Sequence, residues 1–248
     1  MRMIILAAGQ GTRLRPLTDD RPKCMVEFKQ KPIIEYILEA ASACDLRDVV
    51  IVNGYKKEIL EDHLKGHKLN FITNQNYDNT NMVSTLFCAK EFMDDDIIIS
   101  YADIVFKKEI LEKLINSDGD FGVVVDRNWK QLWSLRMENP LQDAETLKVK
   151  DGYIVELGKK PRNYEEIEGQ YIGMVKISKK VIRKVVRYYE SLDKNKLYDG
   201  QKFENMYMTS LIQMIINNLI NVKPVYVDGG WLEIDCVDDL KSYGDYIL

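Results

Sequence analysis

The chain has 248 residues, of which 46% are hydrophobic, and a formal net charge of −4. That length and composition suit one large α/β domain, so residues 1–248 are expected to form a single unit with ample core. The acidic balance disfavours nonspecific binding to nucleic acid or to an anionic membrane, and no apolar run approaches the ~18 residues needed to span a bilayer.

The four cysteines, Cys24, Cys44, Cys88 and Cys236, form no Cys-x-x-Cys pair and read as reduced thiols. The first apolar run is too short for a signal peptide, and a cytoplasmic protein is expected. His63 and His67 flank Gly66, which breaks a helix, so no histidine metal pair is expected there.

Met3 to Ala8 reads as a buried strand. Gly9 and Gly11 follow, and without Cβ atoms their backbone can bring N–H groups close to an anion. Arg13, Arg15, Arg21 and Lys23 come next. A strand, a glycine turn and a basic loop predict a polyphosphate cradle. It is not the dinucleotide fingerprint, because Leu14 stands where the third glycine would be, and no Gly-Lys-Ser/Thr follows.

Pro32 opens a helix over Ile33 to Cys44. Asp48 to Val52 is a strand, Lys56 to Leu64 a helix and Leu69 to Thr73 a strand. This alternation argues for parallel pairing with right-handed crossovers, which places ligands at the carboxyl ends of the strands. A polar loop ends at Asn81, and Met82 to Phe92 has helical spacing. Ile97 to Tyr101 is a strand, with Asp103 just past its end. A carboxylate beside an anion cradle makes electrostatic sense if it holds a divalent cation. The alternative is a cap for the helix expected over Lys107 to Ile115.

Phe121 to Val125 is a strand, followed by sequence read as irregular that carries Arg127, Trp129, Trp133 and Arg136. Rings suit an ammonium and arginines suit a carboxylate or phosphate, so an acceptor pocket is expected here. A half-buried surface hairpin is the alternative. Thr146 to Lys150, Asp151-Gly152 and Tyr153 to Leu157 predict a β-hairpin, so residues 127–170 read as a β-rich insertion on the acceptor side. Gln170 to Ile177 is a strand, and Ser178 caps a helix to Glu190. Phe203 to Asn218 has helical spacing, Val222 to Val227 is a late strand, and Trp231 to Asp235 leads into a helix over Val237 to Tyr246.

The stretch Leu6-Ala7-Ala8-Gly9-Gln10-Gly11-Thr12-Arg13-Leu14-Arg15-Pro16-Leu17-Thr18, closed by Pro22-Lys23, resembles the signature of the nucleotidyltransferases. That family couples a nucleoside triphosphate to a phosphorylated acceptor and releases pyrophosphate. Tyr101-Ala102-Asp103, Tyr171-Ile172-Gly173 and Trp231-Leu232-Glu233-Ile234-Asp235 echo it in the same order. The resemblance implies a Rossmann-like three-layer α/β/α fold with a mixed, mostly parallel central sheet and a small β-hairpin insertion. It implies Arg13 on the leaving pyrophosphate and Lys23 at the α-phosphate. It also implies nucleotide contacts from Leu6, Ala7, Ala8, Gly9, Gly11, Thr12, Asn81, Ser84, Ala102 and Asp103. Asp103 and Asp235 would hold Mg²⁺, with Glu233 in support.

Asn81-Met82-Val83-Ser84-Thr85-Leu86 is similar to a stretch of cytidylyltransferases that act on small phosphorylated compounds. Lys159-Lys160-Pro161 departs at Lys159 from the Glu-Lys-Pro of sugar nucleotidyltransferases. The implied partners are therefore CTP and a small phosphorylated amine or amino acid of the phosphoglutamine or phosphocholine type. Acceptor contacts are expected from Arg127, Trp129, Trp133, Arg136, Lys160 and Tyr171. A sugar-1-phosphate nucleotidyltransferase and a noncatalytic regulator on the same fold remain alternatives, as do monomer and homodimer. The scarcity of histidine fits the chemistry. A phosphate monoester, with its second pKa near ~6, is already an anion at neutral pH and needs no general base. Catalysis would then rest on positioning and charge neutralisation.

Overall fold

The computed structural model describes residues 1–244. Its first half runs β1 (Arg2–Ala7), β2 (Glu27–Phe28), β3 (Lys31–Pro32), α1 (Ile33–Ala43), β4 (Asp48–Asn53), α2 (Lys57–His63), β5 (Asn70–Thr73), α3 (Met82–Cys88), β6 (Ile97–Tyr101), β7 (Ile104–Phe106), α4 (Lys108–Ile115) and β8 (Phe121–Asp126). The second half runs α5 (Trp129–Arg136), β9 (Leu147–Lys150), β10 (Tyr153–Leu157), β11 (Gln170–Ile177), α6 (Lys179–Glu190), β12 (Leu197–Tyr198), β13 (Gln201–Lys202), α7 (Met208–Asn218), β14 (Lys223–Val227), β15 (Trp231–Glu233) and α8 (Val237–Ser242).

Seven strands form one sheet in the order β14-β8-β11-β6-β1-β4-β5. β1 pairs in parallel with β4 and β6, and β14 pairs in parallel with β8. β11 alone reverses, lying antiparallel between β6 and β8. Successive side chains of a strand point to opposite faces, and β1 feeds both. Met3 and Ile5 join a core with residues of α1, α2, α4 and α5, while Ile4 and Leu6 join one with residues of α3, α6 and α7. Apolar side chains on both faces are what a covered, mostly parallel sheet demands. The architecture is the expected three-layer, mostly parallel one. Among the described residues no helix is long and apolar enough to cross a membrane.

Several boundaries differ from expectation. Residues 129–136, read as irregular, are the helix α5. Within residues 127–169 the two-stranded β9–β10 hairpin therefore shares the insertion with a helix and two short 3₁₀ turns. The helical spacing from Met82 breaks after Cys88 and resumes as a 3₁₀ turn over Lys90–Phe92. Ser178 occupies the N-cap of α6, but its hydroxyl donates to Asp120 at 2.7 Å rather than accepting from the helix. The last helix, α8, ends at Ser242; the expected end at Tyr246 lies outside the described residues.

A short antiparallel pair, β7 with β15, positions the site. It aligns Ile104 with Glu233, and Ile234 N–H donates to the Asp103 carbonyl at 2.8 Å. Two segments far apart in sequence thus end side by side, with Asp103 next to Asp235.

Candidate active site

At the carboxyl end of β1 the chain turns into a loop whose backbone passes close to Lys23. Gly11 has φ 64°, and a Cβ built there would come within 2.8 Å of the Lys23 Cβ. Any side chain at that position would meet both a strained backbone and a clash. Thr18 Oγ1 donates to the Gly11 carbonyl at 2.8 Å, and the buried Leu14 roots the loop in the core. The loop is therefore held from both sides while its rim stays open to the cleft.

Lys23 Nζ donates to Asp103 Oδ2 at 2.8 Å and to Asp235 Oδ1 at 2.7 Å. The Arg13 guanidinium pairs with the second oxygen of Asp235. Burial works against the charge on Lys23, but Asp103, Asp235 and Glu233 outweigh it, so its pKa is raised and the ammonium stays charged. Behind Asp235, Asp239 accepts the backbone N–H groups of Asp235 and Cys236 at 2.8 and 2.9 Å. Arg136 bonds Asp239 at 2.9 Å and Glu233 at 2.5 Å. Burial raises the pKa of Glu233, Arg136 opposes this, and Asp103 adds to the rise.

The two aspartates suit a hard divalent cation. Both offer oxygen ligands, and Asp103 Oδ1 is buried without a hydrogen-bond partner. Among the described residues no group of three or more His, Cys, Asp or Glu is placed to hold a metal by itself. Two carboxylates completed by substrate oxygens is the arrangement that Mg²⁺ characteristically accepts.

The cleft is lined by Leu6, Ala7, Ala8, Gly9, Gly11 and Thr12 on one side, with Arg13, Lys23, Ala102, Asp103 and Asp235 at its charged end. Asn81 lines the opposite wall, where its side chain caps α3 by accepting from Met82 N–H at 2.8 Å. Ser84 stands apart from this lining, and its hydroxyl donates to the Glu204 carbonyl at 2.8 Å. Sequence reasoning missed Tyr77, Thr80 and Thr85 on that wall. Thr80 and Thr85 are tied together by Asn74, whose amide donates to them at 2.9 and 3.0 Å. Folding brings Tyr77 against Gly54, where a Cβ would approach the Tyr77 Cβ to 2.7 Å, a contact no local pattern announces.

The expected acceptor residues separate. Arg127 is exposed and forms a two-pronged pair with Asp228 at 2.8 and 2.9 Å. Trp129 and Trp133 are buried in the core under α5, and Trp133 Nε1 donates to Asp143 at 3.0 Å. Arg136 serves Glu233 and Asp239 as described, and none of these four lines the cleft. Helix formation explains the difference, because it turns the Trp133 ring inward against Trp231 and the Trp129 ring against Trp133 and Tyr164. Lys160 is exposed, with its ammonium on the Gln142 carbonyl, and Tyr171 packs edge-on against Tyr101 at 5.7 Å.

Residues 3–191 match the MobA-like NTP transferase domain. The chain belongs to that family. It is a nucleotidyltransferase, and one relative is the CTP:phosphoglutamine cytidylyltransferase of Campylobacter jejuni, 50% identical over 97% of this chain and 98% of that protein. Among solved structures, this nucleotidyltransferase matches the inositol-1-phosphate CTP transferase of T. maritima with a TM-score of 0.77 at 19% identity, over 100% of this chain and 97% of that one. It matches the CTP:phosphocholine cytidylyltransferase of Streptococcus pneumoniae with a TM-score of 0.73 at 23% identity, over 98% and 97%. At those identities the two structures bear on the fold alone.

Proposed function

We propose that this nucleotidyltransferase is a Mg²⁺-dependent cytidylyltransferase that couples CTP to phosphoglutamine, releasing pyrophosphate and forming a CDP-linked product. The observation that carries this reading is the 50% identity to a CTP:phosphoglutamine cytidylyltransferase along nearly the whole of both chains. An oxygen of the acceptor phosphate attacks the α-phosphorus of CTP, and the bond to the β-phosphate breaks. Arg13 takes the charge growing on the pyrophosphate, and Lys23 takes that on the α-phosphate oxygens. Gly9, Gly11 and Thr12 cradle the phosphates through backbone N–H groups. Asp103 and Asp235 would hold Mg²⁺, which would supply neutralisation of phosphate charge. The setting of this reaction is the cytoplasm.

The test is pyrophosphate release with Mg²⁺, crossing CTP, UTP, ATP, GTP and dTTP with phosphoglutamine, phosphocholine, phosphoethanolamine and sugar 1-phosphates. Release confined to CTP with phosphoglutamine is expected. Release with UTP or dTTP and a sugar 1-phosphate would overturn the proposal.

A further inference from the structure

Next to the start of β11, where Gln170 bonds the Glu145 backbone, lies a recess lined by Glu145, Gly158, Lys159, Lys160, Asp199 and Tyr207. The backbone of Glu145 is fixed at both ends by one side chain. Its N–H donates to Gln170 Oε1 at 2.9 Å, and its carbonyl accepts from Gln170 Nε2 at 2.5 Å. Its carboxylate, by contrast, has little to hold it. The one hydrogen bond described is a long one from Thr209 Oγ1 at 3.4 Å. Among the described residues no cation pairs with it. The two lysines of the recess are engaged elsewhere, Lys159 with Glu156 at 2.8 Å and Lys160 with the Gln142 carbonyl.

Two further carboxylates act on it. Burial pushes the Glu145 carboxyl up to about 7, and Asp143 and Asp199 add to the rise. A carboxylate with a single long hydrogen bond has room for a further donor. A donor carrying positive charge suits it best.

We propose that Glu145, with Asp199 at the rim, receives the cationic nitrogen of the acceptor and so selects phosphorylated amines or amino acids over phosphates that lack a cationic nitrogen. This rests on the cytidylyltransferase reading above and adds to it the residue that reads the acceptor. Gln170, which holds the Glu145 backbone, precedes Tyr171, and Tyr171 packs on Tyr101 in the cleft wall, so the recess and the cleft meet at that end of β11. Glu145 is a specificity residue in this account and takes no part in bond making.

The experiment compares wild type with Glu145→Gln and Asp199→Asn by pyrophosphate release at saturating CTP. Acceptors are phosphoglutamine, phosphocholine and phosphoethanolamine, each beside a counterpart of the same shape without the cationic nitrogen. Glu145→Gln keeps the size of the side chain and the Gln170 bonds to the backbone, and Asp199 is exposed in a turn, so both variants should fold. For Glu145→Gln the acceptor KM should rise roughly 10- to 100-fold, as for loss of a charged hydrogen bond, with KM for CTP and kcat within about twofold. The preference for the cationic acceptor over its neutral counterpart should shrink by the same factor. Asp199→Asn should move both in the same direction by less. Unchanged acceptor KM and unchanged preference in Glu145→Gln would overturn the inference and leave the functional reading standing. Activity with another cationic acceptor but not phosphoglutamine would overturn the functional reading, while the same comparison on that acceptor decides the inference. A wild type that turns over only neutral phosphates, or none of the panel, overturns both.

Discussion

The Lys23 ammonium lies 2.7 Å from Asp235 Oδ1, joining residues 212 positions apart in the chain. It reaches Asp103 as well, so one cation holds together the ends of β6 and β15. Removing either partner should therefore strike catalysis before it strikes the fold. Lys23→Ala and Asp235→Ala are each expected to lower turnover by roughly 10²-fold or more, measured by pyrophosphate release on protein whose fold is checked by circular dichroism. Near-normal turnover in either would remove that residue from its role.

Arg136 should act through stability and through Asp235. Its side chain is only 6% exposed and holds Asp239, itself 2% exposed. Asp239 in turn fixes the backbone at Asp235 and Cys236. Arg136→Ala leaves that buried carboxylate unpaired, at a cost of about 3–5 kcal/mol. For a chain of this size that corresponds to a fall in Tm of roughly 10 °C. A calorimetric scan showing an unchanged Tm would contradict this reading of the contacts.

Gly173 allows Tyr101 to lie against β11. It has φ 86°, and a Cβ there would come within 2.6 Å of the Tyr101 ring. Gly173→Ala meets both backbone strain and a clash, and should cost about 1–3 kcal/mol in urea unfolding. Because Tyr101 lines the cleft, KM for the nucleotide should rise with it.

Glu145 gives a pH dependence with a definite sign. Its folded pKa, pushed up to about 7, lies above the ordinary glutamate value, so the folded state binds the extra proton. Stability from this group is then greatest at low pH and is lost as pH rises from about 4.5 to 7. The loss is at most about 3 kcal/mol from a shift of this size. Glu145→Gln removes the dependence. Relative to wild type, its Tm should therefore gain between pH 5 and pH 8, and a parallel pair of Tm–pH curves would contradict the prediction.

Local signals carried much of the fold and of the phosphate end of the site. Unbroken apolar runs such as Ile97 to Ile99 mark strands buried on both faces, and Gly9 to Lys23 lies in one continuous stretch whose residue types state their use. Arg136 was misplaced because its partners Glu233 and Asp239 are 97 and 103 residues away and meet it only after α5 and α8 dock. The spacing of Trp129, Leu132, Trp133 and Arg136 is helical, and the mixture of rings and cations drew attention from it. Glu145 had no local mark at all, since its recess is assembled from the β9–β10 hairpin, the β12–β13 turn and the start of α7.

The reversed strand β11 has an architectural consequence. Since β8 and β11 are antiparallel neighbours, Asp126 at the end of one faces Gln170 at the start of the other. The chain leaves the sheet and re-enters it at the same rim, and the span between sends Trp129, Leu132 and Trp133 into the core and Arg136 onto Asp239 behind the site. A segment grafted between Asp126 and Gln170 would therefore have to bring its own partners for that core and for Asp239. The ends of the span keep the register of β8 and β11, while its interior is tied through Asp239 to Asp235, so the insertion and the phosphate end of the cleft stand or fall together.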